Sequence, residues 1–258
     1  LYKGNITNLY IPEVINDIFV TGIAPNAFNT SDVVSLTLPD GITDIPQRAF
    51  YRNNTLEYIC GNGIKKIDVS SFEESHIMYA EFPNAKEICE SAFVKTKSFC
   101  YGDFSSVEKI GNYAFGYSEI ILFNGSEVTE AYNSIFSYCN RLESVCLSKC
   151  EEFIPTATAL FENSDHIVDV KLPLIIDLCY EQFDDTYILR ANFPKLESID
   201  SDTFANCRHL SKVDLPLLFS VPDYAFSGGS DNHRRRYSFD NARNVGNGAF
   251  GKSNTIRA

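Results

Sequence analysis

Residues 199–216 read Ile-Asp-Ser-Asp-Thr-Phe-Ala-Asn-Cys-Arg-His-Leu-Ser-Lys-Val-Asp-Leu-Pro, and versions of this segment return along the whole 258-residue chain. The phenylalanine of the segment recurs at intervals of 21 to 25 residues. A nearly constant period of this size indicates a solenoid of stacked repeats, in which each repeat contacts its neighbours. The series consists of Phe28, Phe50, Phe72, Phe93, Phe115, Phe136, Phe161, Phe183, Phe204, Phe226 and Phe250.

The part of the segment that ends at Pro216 predicts a short β-strand. Val213 and Leu215 are two residues apart, so they point to one side of a strand and the residue between them points to the other. Proline ends the strand because it cannot donate a hydrogen bond to a central ladder. One such strand per repeat, always in the same direction, predicts a parallel sheet.

The part around the recurring phenylalanine predicts the return side of each repeat. An apolar residue stands five positions before most of these phenylalanines, and a small alanine often stands directly before them. This segment is too short for a long helix, so we expect irregular turns or a single turn of α or 3-10 helix. The phenylalanines are then expected to stack inside the solenoid as a spine.

The whole pattern, Leu-x-x-Val-x-Leu-Pro followed by Ile-x-x-x-Ala-Phe-x-x-Cys-x-x-Leu, resembles the BspA-type leucine-rich repeats (leucine-rich repeat family 5) of bacterial and protozoan surface proteins. The resemblance runs from about residue 20 to the end. We therefore expect a right-handed leucine-rich-repeat solenoid with its parallel sheet on the concave face and short turns, 3-10 or irregular segments on the convex face. It should form one domain over 1–258, with about eleven repeats of about 22 residues and an atypical first repeat or cap over 1–22.

The repeat pattern is least regular near 136–161. Phe136 lacks the preceding alanine, and the next interval is 25 residues long. We expect an insertion around 151–159, with Tyr132 and Ile154 at shifted core positions. At the other end, the chain stops shortly after Phe250, where another strand would begin, which suggests a truncated array or a last repeat that is completed elsewhere.

The resemblance implies a cell-surface or secreted protein of a host-associated microbe, acting in adhesion to host or cell-surface proteins. It implies no catalytic residues and no cofactor. The leading hypothesis is a non-enzymatic, extracellular protein that binds a protein ligand through its concave sheet. The alternatives are a structural spacer or scaffold that displays another domain and, less favoured, a carbohydrate-binding module.

Composition and motif searches narrow the function classes. The net charge of −12 argues against general nucleic-acid binding, which requires a basic surface. No apolar run approaches the roughly 20 residues that a membrane helix needs. The chain contains no His-Glu-x-x-His, no Cys-x-x-Cys, no P-loop and no Gly-x-Ser-x-Gly motif, so we expect no metal, cofactor or enzymatic activity.

The eight cysteines follow the repeat more than they follow a disulfide pattern. Cys139 and Cys207 each stand three residues after a phenylalanine of the series, and Cys89 and Cys179 each stand four residues before one. A recurring position of this kind predicts small, buried, free thiols. Three of the remaining cysteines fit this argument least well: the Cys146/Cys150 pair and Cys60, which falls at a solvent-facing position of the repeat.

Outward-facing strand residues are the candidate ligand-binding residues. Tyr58, Tyr79 and Tyr101 fall at the same strand position, so they should stand about 4.8 Å apart, flanked by Glu81 and Asp103. Tyrosine is enriched at interfaces, although β-propensity alone also favours it on a sheet. The same alignment predicts Ile120 and Leu122 as the outward residues of the unit that contains Phe123.

A second candidate group is a basic line formed by Arg190, Lys212 and Arg236, which could hold an acidic glycan or a protein patch. The alternative is a solvated loop, since the basic run 233–236 has Asp231 and Asp240 nearby. Glycosylation sequons occur at Asn5, Asn29, Asn53 and Asn124. Asn29 and Asn53 are predicted to be accessible at a turn edge.

Overall fold

The computed structural model describes residues 7–151, 153, 160–229 and 236–251. Within these ranges the chain is a solenoid of parallel β-strands and turns, with no helix. This confirms the predicted leucine-rich-repeat architecture, while its handedness, its curvature and its single-domain organisation stay predictions. The three-residue strands are β1 (Asn8–Tyr10), β4 (Ser35–Thr37), β6 (Tyr58–Cys60), β8 (Tyr79–Glu81), β10 (Tyr101–Asp103), β12 (Leu122–Asn124), β14 (Ser144–Cys146), β15 (Asp169–Lys171), β17 (Arg190–Asn192), β19 (Lys212–Asp214) and β21 (Arg236–Ser238).

The three-residue strands form parallel sheets in the order β1-β4-β6-β8-β10, then β12-β14-β15, then β17-β19-β21. Each strand pairs with the next residue for residue, as Tyr58 does with Tyr79. From β4 to β19 the middle residue of each strand faces the core, while the first and third residues point outward. We call the surface made by these outward residues the strand face.

The prediction of one strand per repeat is wrong, because most coils contain a second strand of two residues. Each ends at the apolar position five residues before a series phenylalanine, and a single dipeptide is too short to show an alternating pattern. These strands pair in the orders β5-β7-β9-β11-β13, β16-β18 and β20-β22, beside a terminal antiparallel hairpin, β2-β3. The hairpin strands are β2 (Val14–Ile15) and β3 (Ile18–Phe19). The second strands of the coils are β5 (Asp44–Ile45), β7 (Lys66–Ile67), β9 (Glu87–Ile88), β11 (Lys109–Ile110), β13 (Glu130–Ala131), β16 (Asp177–Leu178), β18 (Ser198–Ile199), β20 (Ser220–Val221) and β22 (Asn244–Val245).

The first of these narrow sheets carries charges of alternating sign in register. Asp44 pairs with Lys66, which pairs with Glu87, and Lys109 lies between Glu87 and Glu130. Opposite charges on neighbouring strands stabilise the pairing. The Lys109 ammonium lies 3.3 Å from the Glu130 carboxylate. We call these five residues the alternating row.

Two tight turns in each coil bracket the series phenylalanine, as the coil of Phe50 illustrates. Arg48 and Arg52 have φ values of 55° and 57°, each at the third position of a hydrogen-bonded turn, as in type II turns. Their N–H groups, like that of Phe50, donate to carbonyls of the next coil. The turn side is therefore a second inter-coil hydrogen-bond ladder, built from turns as one of the sequence-based alternatives predicted.

The phenylalanine series forms the interior spine that its period predicts. Successive rings stack with centroids 4.9 to 5.9 Å apart. All are buried except Phe250, which is partly buried in the last described coil. Phe115 also contacts the rings of Phe104 and Phe123, so side chains from the strand side pack onto the spine.

A buried row of small polar residues stands three positions after the phenylalanines. It includes Asn53, Thr96, Cys139 and Cys207. The Cys139 thiol donates to the Phe115 carbonyl over 3.0 Å, and burial raises the pKa of this thiol to about 12, so it stays a protonated donor. Cys139 and Cys207 are buried as predicted, but they also hydrogen-bond. Cys89 and Cys179 are only partly buried, and no disulfide joins any of the eight cysteines.

The spine continues through the irregular central unit, where Phe136 stacks on Phe161 at 5.9 Å. The expected core position of Tyr132 is wrong. Ala131 fills that position and pairs with Ile110, while Tyr132 is half-buried with its ring 5.4 Å from the Lys109 ammonium. Ile154 and most of the expected insertion lie outside the described residues.

Replacing Phe115 with alanine should lower the free energy of unfolding by about 3–5 kcal/mol, because the change leaves a cavity between stacked rings. Urea unfolding followed by circular dichroism measures the loss. Phe219 is 56% exposed and is a matched control; its replacement by alanine should change stability by no more than about 0.5 kcal/mol. Equal effects of the two substitutions would contradict an interior spine.

Candidate ligand-binding face

The strand face consists of two parallel columns, given by the first and third residues of each three-residue strand. From β4 to β21 the first column is Ser35, Tyr58, Tyr79, Tyr101, Leu122, Ser144, Asp169, Arg190, Lys212 and Arg236, and the second is Thr37, Cys60, Glu81, Asp103, Asn124, Cys146, Lys171, Asn192, Asp214 and Ser238. Every candidate binding residue predicted from the sequence lies in one of these columns. The columns also contain Asn124, which the sequence alignment missed.

The prediction that Ile120 points outward is wrong, whereas Leu122 is exposed as predicted, in the first column and not in the second. Ile120 is buried, and the outward residues are Leu122 and Asn124. The reason is that Phe123 holds the middle position of the strand and Gly125 stands two residues later, where most other coils have a large apolar residue. A Cβ on Gly125 would lie 2.6 Å from the Phe123 ring, so this one ring fills the space of two side chains. Gly125, two residues after Phe123, was the feature of the sequence that could have shown this shift.

Tyr58, Tyr79 and Tyr101 are direct neighbours on three paired strands. Tyr79 and Tyr101 are 43% and 42% exposed, and Tyr58 is partly buried. The structure brings these three side chains together as the repeat predicts. Among the described residues the rings of these three do not stack on one another, and the exposed side chains of Tyr79 and Tyr101 are open to a ligand. We call them the tyrosine strip.

Tyr58 is held in place by polar contacts at its tip. Its hydroxyl donates to a carboxylate oxygen of Glu81 over 2.9 Å. Its pKa is raised by its hydrogen bond with Cys60, by burial and by the bond to Glu81. The Cys60 thiol in turn donates to the Thr37 hydroxyl over 3.5 Å. These contacts fix one edge of the strip, whereas Tyr79 and Tyr101 are more exposed.

Glu81 and Asp103 are neighbours in the second column, on strands that pair in register. Two like charges placed directly opposite each other destabilise a sheet. Both carboxylates line a shallow depression of about 290 Å³ that also includes Thr37, Cys60 and Pro83. The depression lies beside the tyrosine strip, so an aromatic surface and an acidic one adjoin at this end of the strand face.

Arg190, Lys212 and Arg236 are also neighbours in register, in the first column of β17, β19 and β21. All three are exposed. The nearest anion to Lys212 is Asp214 on its own strand, at 3.9 Å. Arg190 also lines a depression of about 430 Å³ with Lys171. We call the three cations the cationic row; the rest of the predicted basic run, 233–235, lies outside the described residues.

The sequons differ sharply in accessibility. Asn53 is 1% exposed, and its amide donates to the Phe28 carbonyl over 2.6 Å and accepts from the Leu56 N–H over 2.7 Å. The predicted accessibility of Asn53 is therefore wrong, because its side chain is part of the buried polar row. Asn29 is partly buried, Asn124 is exposed on the strand face, and Asn5 lies outside the described residues.

In the part of the chain that the structure describes, His, Cys, Asp and Glu form no group of three or more that could hold a metal ion. The same residues include no helix that is long and apolar enough to cross a membrane.

The fold defines a leucine-rich-repeat solenoid. The sequence profile of the BspA type leucine rich repeat region, which spans six repeats, matches residues 2–121, 86–189 and 157–257. The chain therefore belongs to the BspA-type leucine-rich repeat family. No curated protein sequence matches it.

Three solved structures of leucine-rich repeat proteins align with this chain. A leucine-rich repeat protein from Bacteroides ovatus aligns with a TM-score of 0.50 and 17% identity, over 93% of this chain and 71% of that one. A T. pallidum leucine-rich repeat protein aligns with a TM-score of 0.46 and 18% identity, over 80% of this chain and 79% of that one. A leucine-rich cell surface protein from Faecalibacterium prausnitzii aligns with a TM-score of 0.40 and 16% identity, over 100% of this chain and 93% of that one. The likeness to the Bacteroides ovatus protein concerns the fold alone.

The like-charge pair on the strand face makes a stability prediction. Asp103→Asn should raise the free energy of unfolding by about 0.2–1 kcal/mol, because it removes the repulsion from Glu81. Asparagine keeps the oxygen that accepts the Ser105 N–H over 3.1 Å. Asp214→Asn, in the same column beside Lys212, is the matched control and should give no gain. Urea unfolding of both variants measures the difference, and a loss of stability in Asp103→Asn would show that the repulsion is absent.

Proposed function

We propose that this chain is a non-enzymatic, extracellular or cell-surface binding protein, and that its strand face takes up a protein ligand in adhesion. Membership of the BspA-type family supports this proposal, since leucine-rich-repeat proteins are typically non-catalytic and generally bind proteins. Stacked repeats also create an extended surface suited to a macromolecular partner. A host protein or another cell-surface protein is the partner class that we favour.

The observation that carries the proposal is the tyrosine strip. Three tyrosines in register give a contact area about 9.6 Å long, from two strand steps of about 4.8 Å. Tyrosine contributes a large apolar surface with few rotatable bonds and a polar tip, which suits it to interfaces. The adjoining carboxylates Glu81 and Asp103 would complement basic groups on the ligand.

The two alternatives make different use of the same surface. A spacer that only displays another domain would not depend on the strand face at all. A carbohydrate-binding module would use the acidic depression beside the strip, where Glu81 and Asp103 could accept hydrogen bonds from sugar hydroxyls. Retention of glycan-array binding after Glu81→Gln and Asp103→Asn would count against that use of the depression.

Replacing Tyr58, Tyr79 and Tyr101 together with serine should abolish binding of the protein ligand and leave the fold intact. A ligand is first captured from host extracellular extract and identified, and its affinity for both proteins is then measured directly with purified components. Truncating an interface tyrosine that is a hot spot costs about 2 kcal/mol or more of binding free energy. The triple variant should therefore lose more than roughly a hundredfold in affinity.

The matched control replaces Tyr180, Tyr187 and Tyr224 with serine. These tyrosines are 44%, 41% and 51% exposed and lie outside the strand face. The control removes the same number of exposed rings and should bind like the unmodified protein. Unchanged binding by the strip variant would mean that the strip is ordinary sheet surface, and the spacer alternative would then gain support.

A further inference from the structure

The cationic row is costly to the fold by itself. Lys212 lies between Arg190 and Arg236 on directly paired strands, and like charges opposite each other destabilise a sheet. Among the residues that the structure describes, neither arginine forms an ion pair. The chain as a whole is acidic, with 34 acidic against 22 basic residues. Among the described residues, only the pair of Lys212 with Asp214, at 3.9 Å, offsets the local positive charge of these three adjacent cations.

On its second-strand sheet and its turn edge, the same solenoid places opposite charges next to each other. In the alternating row each cation stands between anions, and on the turn edge Glu74 lies within 3.3 Å of both Arg52 and Lys95. The repeat architecture thus accommodates opposite charges in register. Since the cationic row departs from that arrangement, its missing anions are best supplied by a ligand.

We propose that the cationic row binds the acidic face of an α-helix in a protein partner, with the helix lying along the solenoid axis. Neighbouring cations are about 4.8 Å apart and the outer two about 9.6 Å apart, as set by strand spacing. Residues i, i+3 and i+7 of an α-helix lie on one face and rise by about 4.5 and 10.5 Å. Carboxylates at those positions therefore meet Arg190, Lys212 and Arg236 in turn.

Other acidic ligands fit the row less well. An extended peptide along the same axis presents same-side residues about 6.8 Å apart, so it falls out of step by the second cation. A uniformly anionic polymer would meet Asp214 beside Lys212 and Asp169 beside Arg190 in the columns. A helix that carries its charge on one narrow face avoids those carboxylates. This inference deepens the proposed binding function and rests on it.

The test uses two synthetic helical peptides of about 20 residues, long enough to be helical in water. One carries glutamate at i, i+3 and i+7 on an alanine and glutamine background. The other carries three glutamates at i, i+5 and i+6, which at 3.6 residues per turn lie roughly 100–140° apart around the helix. Affinities for the full chain are measured by fluorescence anisotropy at about 0.02 M salt, where screening of surface charge is weak.

The first peptide should bind, and the second should bind roughly tenfold more weakly because only one of its carboxylates faces the row at a time. Arg190→Ser, Lys212→Ser and Arg236→Ser in one variant should weaken the first peptide roughly tenfold. The matched control, with Lys65, Lys97 and Lys195 changed to serine, loses the same charge away from the strand face and should bind nearly as tightly as the unmodified protein. Circular dichroism verifies that both variants fold.

Equal binding of the two peptides, no binding of the first, or equal weakening by the control variant would overturn the inference. Row-dependent binding of heparin that exceeds that of the first peptide would also overturn it, in favour of a sulfated polysaccharide. The variant of the tyrosine strip separates this inference from the proposed function. If the cationic-row variant loses peptide binding but still binds the protein ligand, the result concerns the cationic row alone. If the tyrosine-strip variant loses binding of the protein ligand but still binds the peptide, the result concerns the strip alone.

Discussion

The hydrogen-bonded step between adjacent coils is the constraint on which the rest of this solenoid depends. Parallel strands lie about 4.8 Å apart, and the spine rings stack at 4.9 to 5.9 Å, which lies within the favourable range for offset aromatic pairs. One distance therefore satisfies the backbone ladder and the core together. Because every coil takes the same step, residues about 22 apart in the chain become lateral neighbours, and each repeat position becomes a row on the surface.

On the turn side, the spacing between coils requires a backbone conformation that costs free energy. Left-handed backbone recurs two residues before and after the spine phenylalanines, at non-glycine residues such as Tyr113 and Tyr117. That conformation costs roughly 1–2 kcal/mol per residue with a Cβ. It persists because it turns alternate N–H groups toward the next coil, where they find carbonyl acceptors. Leaving those buried donors unpaired would cost a comparable amount or more, about 1–3 kcal/mol each.

Sequence predicted the features that depend on a repeating side chain and missed those that depend on backbone. The period of Phe50 and its relatives fixed the spine, and Val213-x-Leu215-Pro216 fixed the strand and so the tyrosine strip. Most of the left-handed turn positions are not glycine, and the second strands are only two residues long, so neither feature leaves a clear pattern in the sequence. Asn53 lies in a glycosylation sequon, but in the fold its buried amide hydrogen-bonds to backbone groups. At Phe123 the predicted outward positions were wrong because one ring fills the space of two side chains.

The two halves of the strand face differ in how far the fold accounts for them. Tyrosines at strand positions are favoured by packing on a pleated surface, so the strip alone needs no ligand to explain it. The charged neighbours of the strand face are different, because Glu81 beside Asp103 and Lys212 beside two arginines each lower stability. The row of Lys66, Glu87 and Lys109 shows that the same repeat can place opposite charges on neighbouring strands, which is the more stable arrangement. We therefore propose that partners supply the missing opposite charges on the strand face, a basic partner at Glu81 and Asp103 and an acidic one at the cationic row.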